Sequence, residues 1–170
     1  MKTALISLIL LAMMSCSPAQ SVSRSNLDVP TRQLNATYEN VSHSKDSMQD
    51  AVKLTTLFGL DPNIDADSVN VYFDNGKLRL AFKDQFGRKT SMSFQGKFRR
   101  KDYQYFLQRK NIVFPPIYWM TNVDRVRVSV AKDSTLIVED FSDHSGMVLL
   151  FGAGYSARIQ YKFKYVKPNS

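Results

Sequence analysis

Tyr155-Ser156-Ala157-Arg158-Ile159-Gln160-Tyr161-Lys162-Phe163-Lys164-Tyr165 alternates apolar and polar side chains without a break. Successive side chains of a strand point to opposite faces, so this pattern predicts one face on a core and one in water. The same reading extends backwards through the chain. Arg125–Lys132 alternates Arg, Val, Arg, Val, Ser, Val, and Asp133-Ser134 turns it into Thr135–Glu139. Val69–Phe73 and Lys77–Phe82 flank Asp74-Asn75-Gly76, and Asn-Gly between two alternating runs is the strongest short-range hairpin signal. Thr90–Phe98 and Tyr103–Leu107 read as further strands, and Asn111–Phe114 as another that Pro115-Pro116 ends. Phe141–Gly146 reads as a polar loop. Met147–Phe151 is wholly apolar, as a strand buried on both faces or an apolar hairpin arm would be, and Gly152-Ala153-Gly154 reads as a bulge or bend.

About eight strands with short connections predict a mainly β protein. The order suits an antiparallel up-and-down barrel or a sandwich, and the hairpin connections favour the barrel. Upstream, Ser44 to Leu57 carries a helical pattern, with Met48, Val52, Leu54 and Phe58 near one face and Gly59 as its stop. The expected body is therefore 44–170, a β-barrel with one short leading helix over 44–58. Residues 16–43, rich in Ser, Asn, Gln and Thr, read as a flexible tether, with Leu27, Val29, Leu34 and Tyr38 available to lie against the body.

The first 15 residues read as a signal peptide: Lys2 gives a charged start, and Ala4–Met14 is almost continuously apolar but too short to span a bilayer about 30 Å thick as a helix. Met13-Met14-Ser15-Cys16 resembles the lipobox of bacterial lipoproteins, with Met13 where that family usually has Leu. The resemblance implies cleavage before Cys16, lipid modification of that residue, and a membrane-anchored place in the cell envelope, on the periplasmic face or surface of an outer membrane. Cys16 is the chain's single cysteine, so no intramolecular disulfide forms. The formal charge is +8, and removing Lys2 with the signal leaves +7. Anionic headgroups or surface polysaccharide are the neighbours such a charge would meet in an envelope. Nucleic acid is disfavoured as a partner by the compartment, not by the charge, and none is expected.

In outline, Val69–Val166 resembles the lipocalin-like, or calycin, group of small ligand-binding barrels, some of them outer-membrane lipoproteins. That group carries a Gly-x-Trp signature at its first strand, whereas Trp119 here follows Pro115-Pro116 in mid-chain. The resemblance implies shape alone. Gly152–Arg158 is similar to the small-residue loop of periplasmic lysozyme-inhibitor lipoproteins, without its Ser-Gly spacing. Asp46-Ser47-Met48, Asp67-Ser68-Val69 and Asp133-Ser134-Thr135 are similar to the Asp-Ser acceptor pattern for O-glycosylation in one group of Gram-negative bacteria, which implies Ser47, Ser68 and Ser134 as acceptors.

No Ser/His/Asp arrangement stands out. His43 and His144 lack metal-ligand spacing, so no metal and no cofactor is expected. The carboxylates fall mostly in turns, and the expectation is that the protein is not an enzyme. Phe114-Pro115-Pro116-Ile117-Tyr118-Trp119-Met120 is the most unusual segment: a lid over a barrel mouth, a partner patch, a membrane-contacting tip, or a loop folded back on the core. Arg125 and Arg127 would form an anion-binding wall if they pointed inward, but Val126, Val128 and Val130 are the better core residues, so the arginines are expected in solvent. The basic run Lys97–Lys101 reads as a solvated turn or a headgroup contact near the anchor.

The leading functional expectation is a lipid-anchored envelope protein that binds a small apolar or amphiphilic ligand inside a hollow barrel. Its contacts would come from Phe114, Ile117, Tyr118, Trp119, Met120, Arg125 and Arg127. The alternative is an interaction or inhibitor module that docks an envelope protein through Phe114–Met120. A hollow interior favours the first. A filled interior with Tyr118 and Trp119 exposed favours the second.

Overall fold

A computed structural model of the chain describes residues 26–27, 31–43, 51–100, 102–115, 117–149 and 151–167. Nine antiparallel strands form two meandering sheets. The short sheet holds β1 (Asn35–Glu39), β2 (Ser68–Asp74), β3 (Lys77–Lys83) and β4 (Lys89–Phe94). The long sheet holds β5 (Lys97–Arg99), β6 (Asp102–Phe114), β7 (Tyr118–Val130), β8 (Leu136–Val148) and β9 (Phe151–Phe163). One turn of helix, α1 (Leu54–Leu57), precedes β2. The mainly β, antiparallel expectation holds; no closed barrel is found among the described residues.

The β2–β3 hairpin turns through Asn75 and Gly76 with φ of 50° and 75°, the two left-handed positions that select Asn-Gly. The expected Thr90–Phe98 strand is broken at Gln95–Gly96, where the chain leaves the short sheet as β4 and enters the long sheet as β5. A second seam joins the sheets through β1. Glu39 N–H donates to the Lys164 carbonyl (2.9 Å) and Val166 N–H to the Thr37 carbonyl (2.8 Å). β1 therefore occupies part of the expected tether, because Tyr38 is buried between the sheets and its backbone is paired on both sides.

Between the sheets lies one apolar core. Val69, Val71, Leu78 and Leu80 meet Tyr103, Val126, Val128 and Phe163, all at most 1 % exposed. The inward aromatics are large: the Phe73 ring lies tilted at 4.7 Å from Phe98 and edge-on at 5.0 Å from Tyr103, and Phe94 lies 4.9 Å from Phe58. Leu54, Leu57 and Phe58 of the α1 turn close one end of this core. Residues 44–50 of the expected helix lie outside the described residues. Gly59, with φ of 73°, ends the turn as read.

Four strands of 13 residues outrun the core. Phe141–Gly146, expected as a loop, is mid-strand in β8, and Gly152-Ala153-Gly154 continues β9 in unbroken register opposite Met147, Gly146 and Ser145. Asn111–Phe114 is not a separate strand but the far half of β6, joined to Tyr103–Phe106 across one register shift at Leu107. Beyond that shift β6 to β9 run on together as a finger. Among the described residues no helix is long and apolar enough to cross a membrane.

Candidate docking surface at the tip of the long sheet

The register fixes the finger as rows of four residues, one per strand. The outermost is Phe114, Tyr118, Val148 and Phe151; next come Val113, Trp119, Met147 and Gly152; then Ile112, Met120, Gly146 and Ala153. None of these twelve side chains is charged. The fourth row, Asn111, Thr121, Ser145 and Gly154, is small and neutral. The fifth brings Lys110, Asn122, His144 and Tyr155, and the sixth Arg109, Val123, Asp143 and Ser156. Because neighbouring rows point to opposite faces, the apolar cap covers both faces of the sheet.

Two hairpin turns close the tip. Ile117 N–H donates to the Phe114 carbonyl across the first (2.9 Å), and Leu149 N–H donates to the Ile117 carbonyl, tying the second turn to the first. Leu149 takes φ of 56°, an uncommon conformation for a residue with a Cβ. Phe151 is 84 % exposed, Val113 67 % and Phe114 63 %, whereas Tyr118, Trp119, Met120 and Met147 are half-buried. Isolated exposed apolar residues are ordinary, but a contiguous cap at a projecting end marks a contact surface.

Phe114, Ile117, Tyr118, Trp119 and Met120 are thus together at the tip, at the opposite end of the long sheet from the β7–β8 turn and beyond the core end that α1 closes, where Phe58 packs on Tyr105 and Gly59 faces Leu107. The Met147–Phe151 run is neither a buried strand nor one hairpin arm: it ends β8, turns at Leu149 and opens β9. Val148, Leu149 and Phe151 complete the cap, and sequence reading gave them no part in a site because the turn contains no Gly, Asn or Pro to announce it. Arg125 and Arg127 lie two strand-halves away. They point from the core, as expected, but not simply into water. Arg125 sits 4.6 Å over the Phe141 ring, with Arg158 at 5.6 Å from the same ring. The Arg127 side chain is only 14 % exposed, with Nε 3.1 Å from Asp102 and Nη1 3.4 Å from Glu139. Neighbouring strands supply those carboxylates, which spacing along the chain does not reveal. Ser68 opens β2 and Ser134 is exposed in the β7–β8 turn; Cys16 and Ser47 lie outside the described residues.

At the neck of the finger, His144 Nε2 is 3.0 Å from Asp124 Oδ1 and its ring stacks on Tyr155 at 5.9 Å. This pairing, 20 residues apart in the chain, was not legible in the sequence. It supplies two metal-type ligands, and no group of three occurs among the described residues. Asp140 lies nearby on the same face. Burial, and then the Asp124 carboxylate, push its pKa above the ordinary carboxylate value. A raised carboxylate pKa means the folded state holds the proton more tightly, so this group lowers stability as pH rises from the ordinary value through the raised one. Asp140→Asn is therefore expected to melt higher than wild type at pH 7. The gap should close as pH falls into the carboxylate range, measured by thermal unfolding from pH 3 to pH 7.

An open depression of about 410 Å³ lies on the finger's core-side face, between Tyr118, Met120, His144, Val148 and Phe151, with Gly146 and Ala153 as its floor. A larger one of about 840 Å³, on the outer face of the short sheet, is polar and wide. Its Asp84 carboxylate is occupied by its own turn, accepting from Phe86 N–H, Arg88 N–H and Arg88 Nε. No family model, no curated protein and no solved structure matches this chain.

Proposed function

We propose that the protein is a non-enzymatic docking module of the cell envelope, held by acylated Cys16 and working through the apolar tip of its finger. The observation that carries this reading is the three uncharged outer rows at the projecting end of the sheet, with Ile112, Val113, Phe114, Val148 and Phe151 exposed and Tyr118, Trp119, Met120 and Met147 half-buried. Burying apolar surface contributes roughly 25 cal/mol per Å², so a cap of several large side chains left in water favours whatever covers it.

The up-and-down, lipocalin-like order is retained for the base of the molecule. It is supported by the meander of both sheets, the β1 seam to Lys164 and Val166, and the β4–β5 corner. In this reading the base is a pinched barrel whose interior is taken up by Phe73, Phe94, Tyr103 and Phe163. That filling favours docking over carriage of a ligand inside. Carriage of a small apolar ligand has one supporting feature, the depression beside Tyr118 and Phe151, and that too is at the tip.

The chain that leads from Cys16 joins the body at the end of the long sheet opposite the tip. Leu27 pairs with Ala131 at the β7–β8 turn, and Lys97–Arg99 lie at the same end of the long sheet. A photo-crosslinking residue placed at Phe151 or Phe114 in cells is expected to form adducts with an envelope component. The same residue at Phe86, an exposed aromatic on the β3–β4 turn, is expected to form none. Equal labelling from all three positions, or none from the tip, would sink the docking reading.

A further inference from the structure

We propose that the tip is covered by lipid: the finger dips into the leaflet that carries the acylated Cys16, as far as the row of Asn111, Thr121, Ser145 and Gly154. The inference rests on the docking reading and names the partner.

Three features of the finger select a bilayer over a protein groove. The cap is apolar on both faces and on both edge strands, β6 and β9, whereas a sheet lying on a protein keeps one wetted face and alternates. Polarity then changes in the order of a membrane interface. Phe151, Phe114 and Leu149 lead, Trp119 and Tyr118 sit within the first two rows, neutral small side chains follow, and Lys110 and Arg109 come next. Those two cations precede any carboxylate on their own strand, so they meet the headgroup layer unopposed from β6.

The depth is bounded by the backbone. Three rows and a turn measure roughly 10 Å at about 3.3 Å per residue, matching the 5–10 Å to which interfacial elements sink. The outer edges of β6 and β9 leave alternate N–H and C=O groups unpaired along the finger, and lipid does not satisfy them. A shallow dip immerses few of these groups, whereas a spanning one would immerse many.

The chain before Leu27 is long enough to reach the same leaflet. From the β7–β8 turn to the tip is about 40 Å of strand, of which roughly 30 Å would stand above the immersed part. The 11 residues from Cys16 to Leu27 extend at most about 36–40 Å. A tether fixed at Leu27 can therefore return to the membrane that the tip enters.

Trp119 is the chain's one tryptophan and lies in the second row, so its fluorescence reports the tip alone. The acylated full-length protein would be reconstituted in phosphatidylethanolamine–phosphatidylglycerol vesicles whose acyl chains carry bromine at a shallow or a deep carbon. The expected result is at least twofold quenching by the shallow bromines, weaker quenching by the deep ones, and loss of both in Phe151→Asp/Leu149→Asp. That variant changes only exposed turn residues, and its fold is checked by circular dichroism. If Trp119 is unquenched in every vesicle while the acyl anchor holds the protein on them, lipid cover is overturned. An adduct between position 151 and an envelope protein in cells would then leave docking standing with a protein partner. No adduct at all would end both readings.

Discussion

Gly96→Ala is expected to destabilise the fold by about 3 kcal/mol, at the upper end of what overpacking a close contact costs. Gly96 sits at the corner where the chain passes from one sheet to the other. A Cβ there would lie 2.2 Å from the Gln104 carbonyl oxygen and 2.7 and 2.8 Å from two ring atoms of Tyr103. The first of these is backbone, so no rotamer change relieves it; β6 or the corner has to move. The ring is not free to yield either. Tyr103 is fully buried, and its hydroxyl accepts from Gly96 N–H and, at 3.4 Å, from Leu78 N–H while donating to the Phe94 carbonyl at 2.7 Å. One donor and two acceptor sites are the full capacity of a phenol hydroxyl. That single group therefore satisfies backbone on β3, β4 and the corner together. Tyr103→Phe keeps the ring and leaves those backbone groups unpartnered, with an expected cost of about 1–3 kcal/mol. Urea titrations read both as lower midpoints with an unchanged slope. A loss below about 0.5 kcal/mol for Gly96→Ala would mean that the corner is loose, and that the sheets are not fixed to each other there.

The same corner shows where sequence reading succeeds and where it stops. Asn75-Gly76 announces its turn because the two φ values needed are ones that few other residues adopt, so the signal is local. Val126 and Val128 are legible as core because alternation is local too. Gly96 was read into a continuous strand, since its reason for being glycine is Gln104, which the fold alone brings near. The tip is the sharper case. Phe114–Met120 stood out by composition, yet its position away from the capped core followed only from the length of β6 to β9. The second half of the cap hid in Met147–Phe151, because Leu149 makes a left-handed turn that its residue type does not advertise. The alternation rule failed in the finger for a physical reason. It presumes a core on one side and water on the other, and beyond the end of the core neither face has that contrast.

On the outer face of the core rows charge takes over from apolar packing, and Arg127→Met is expected to cost about 3–5 kcal/mol there. The side chains of Arg127, Asp102 and Glu139 are 14 %, 13 % and 8 % exposed, and come from β7, β6 and β8. Exposed ion pairs are worth little because water screens them. These are not exposed, and removing the cation leaves two carboxylates in poor solvent. Glu139 would retain Gln160 at 3.2 Å and the more exposed Arg158 at 3.6 Å, which bounds the loss on that side. Arg127→Lys should recover part of the stability but not all, since one ammonium cannot present the planar fork that spans two carboxylates on opposite neighbouring strands. The decisive comparison is Arg127→Met in a Glu139→Leu background. With Arg127 and Glu139 both replaced, Asp102 alone of the trio stays charged, and that double variant should be more stable than Arg127→Met alone, because a buried carboxylate that has lost its least exposed cation costs more than its absence. Chemical unfolding of the three variants reads this directly. A loss under about 1 kcal/mol for Arg127→Met would place the trio among surface pairs. It would also leave the outer face of β6, β7 and β8 to be held by strand hydrogen bonds and by Arg125 over the Phe141 ring. With the expected larger loss, the network cross-links β6, β7 and β8 across the outer face of the core from which the finger projects.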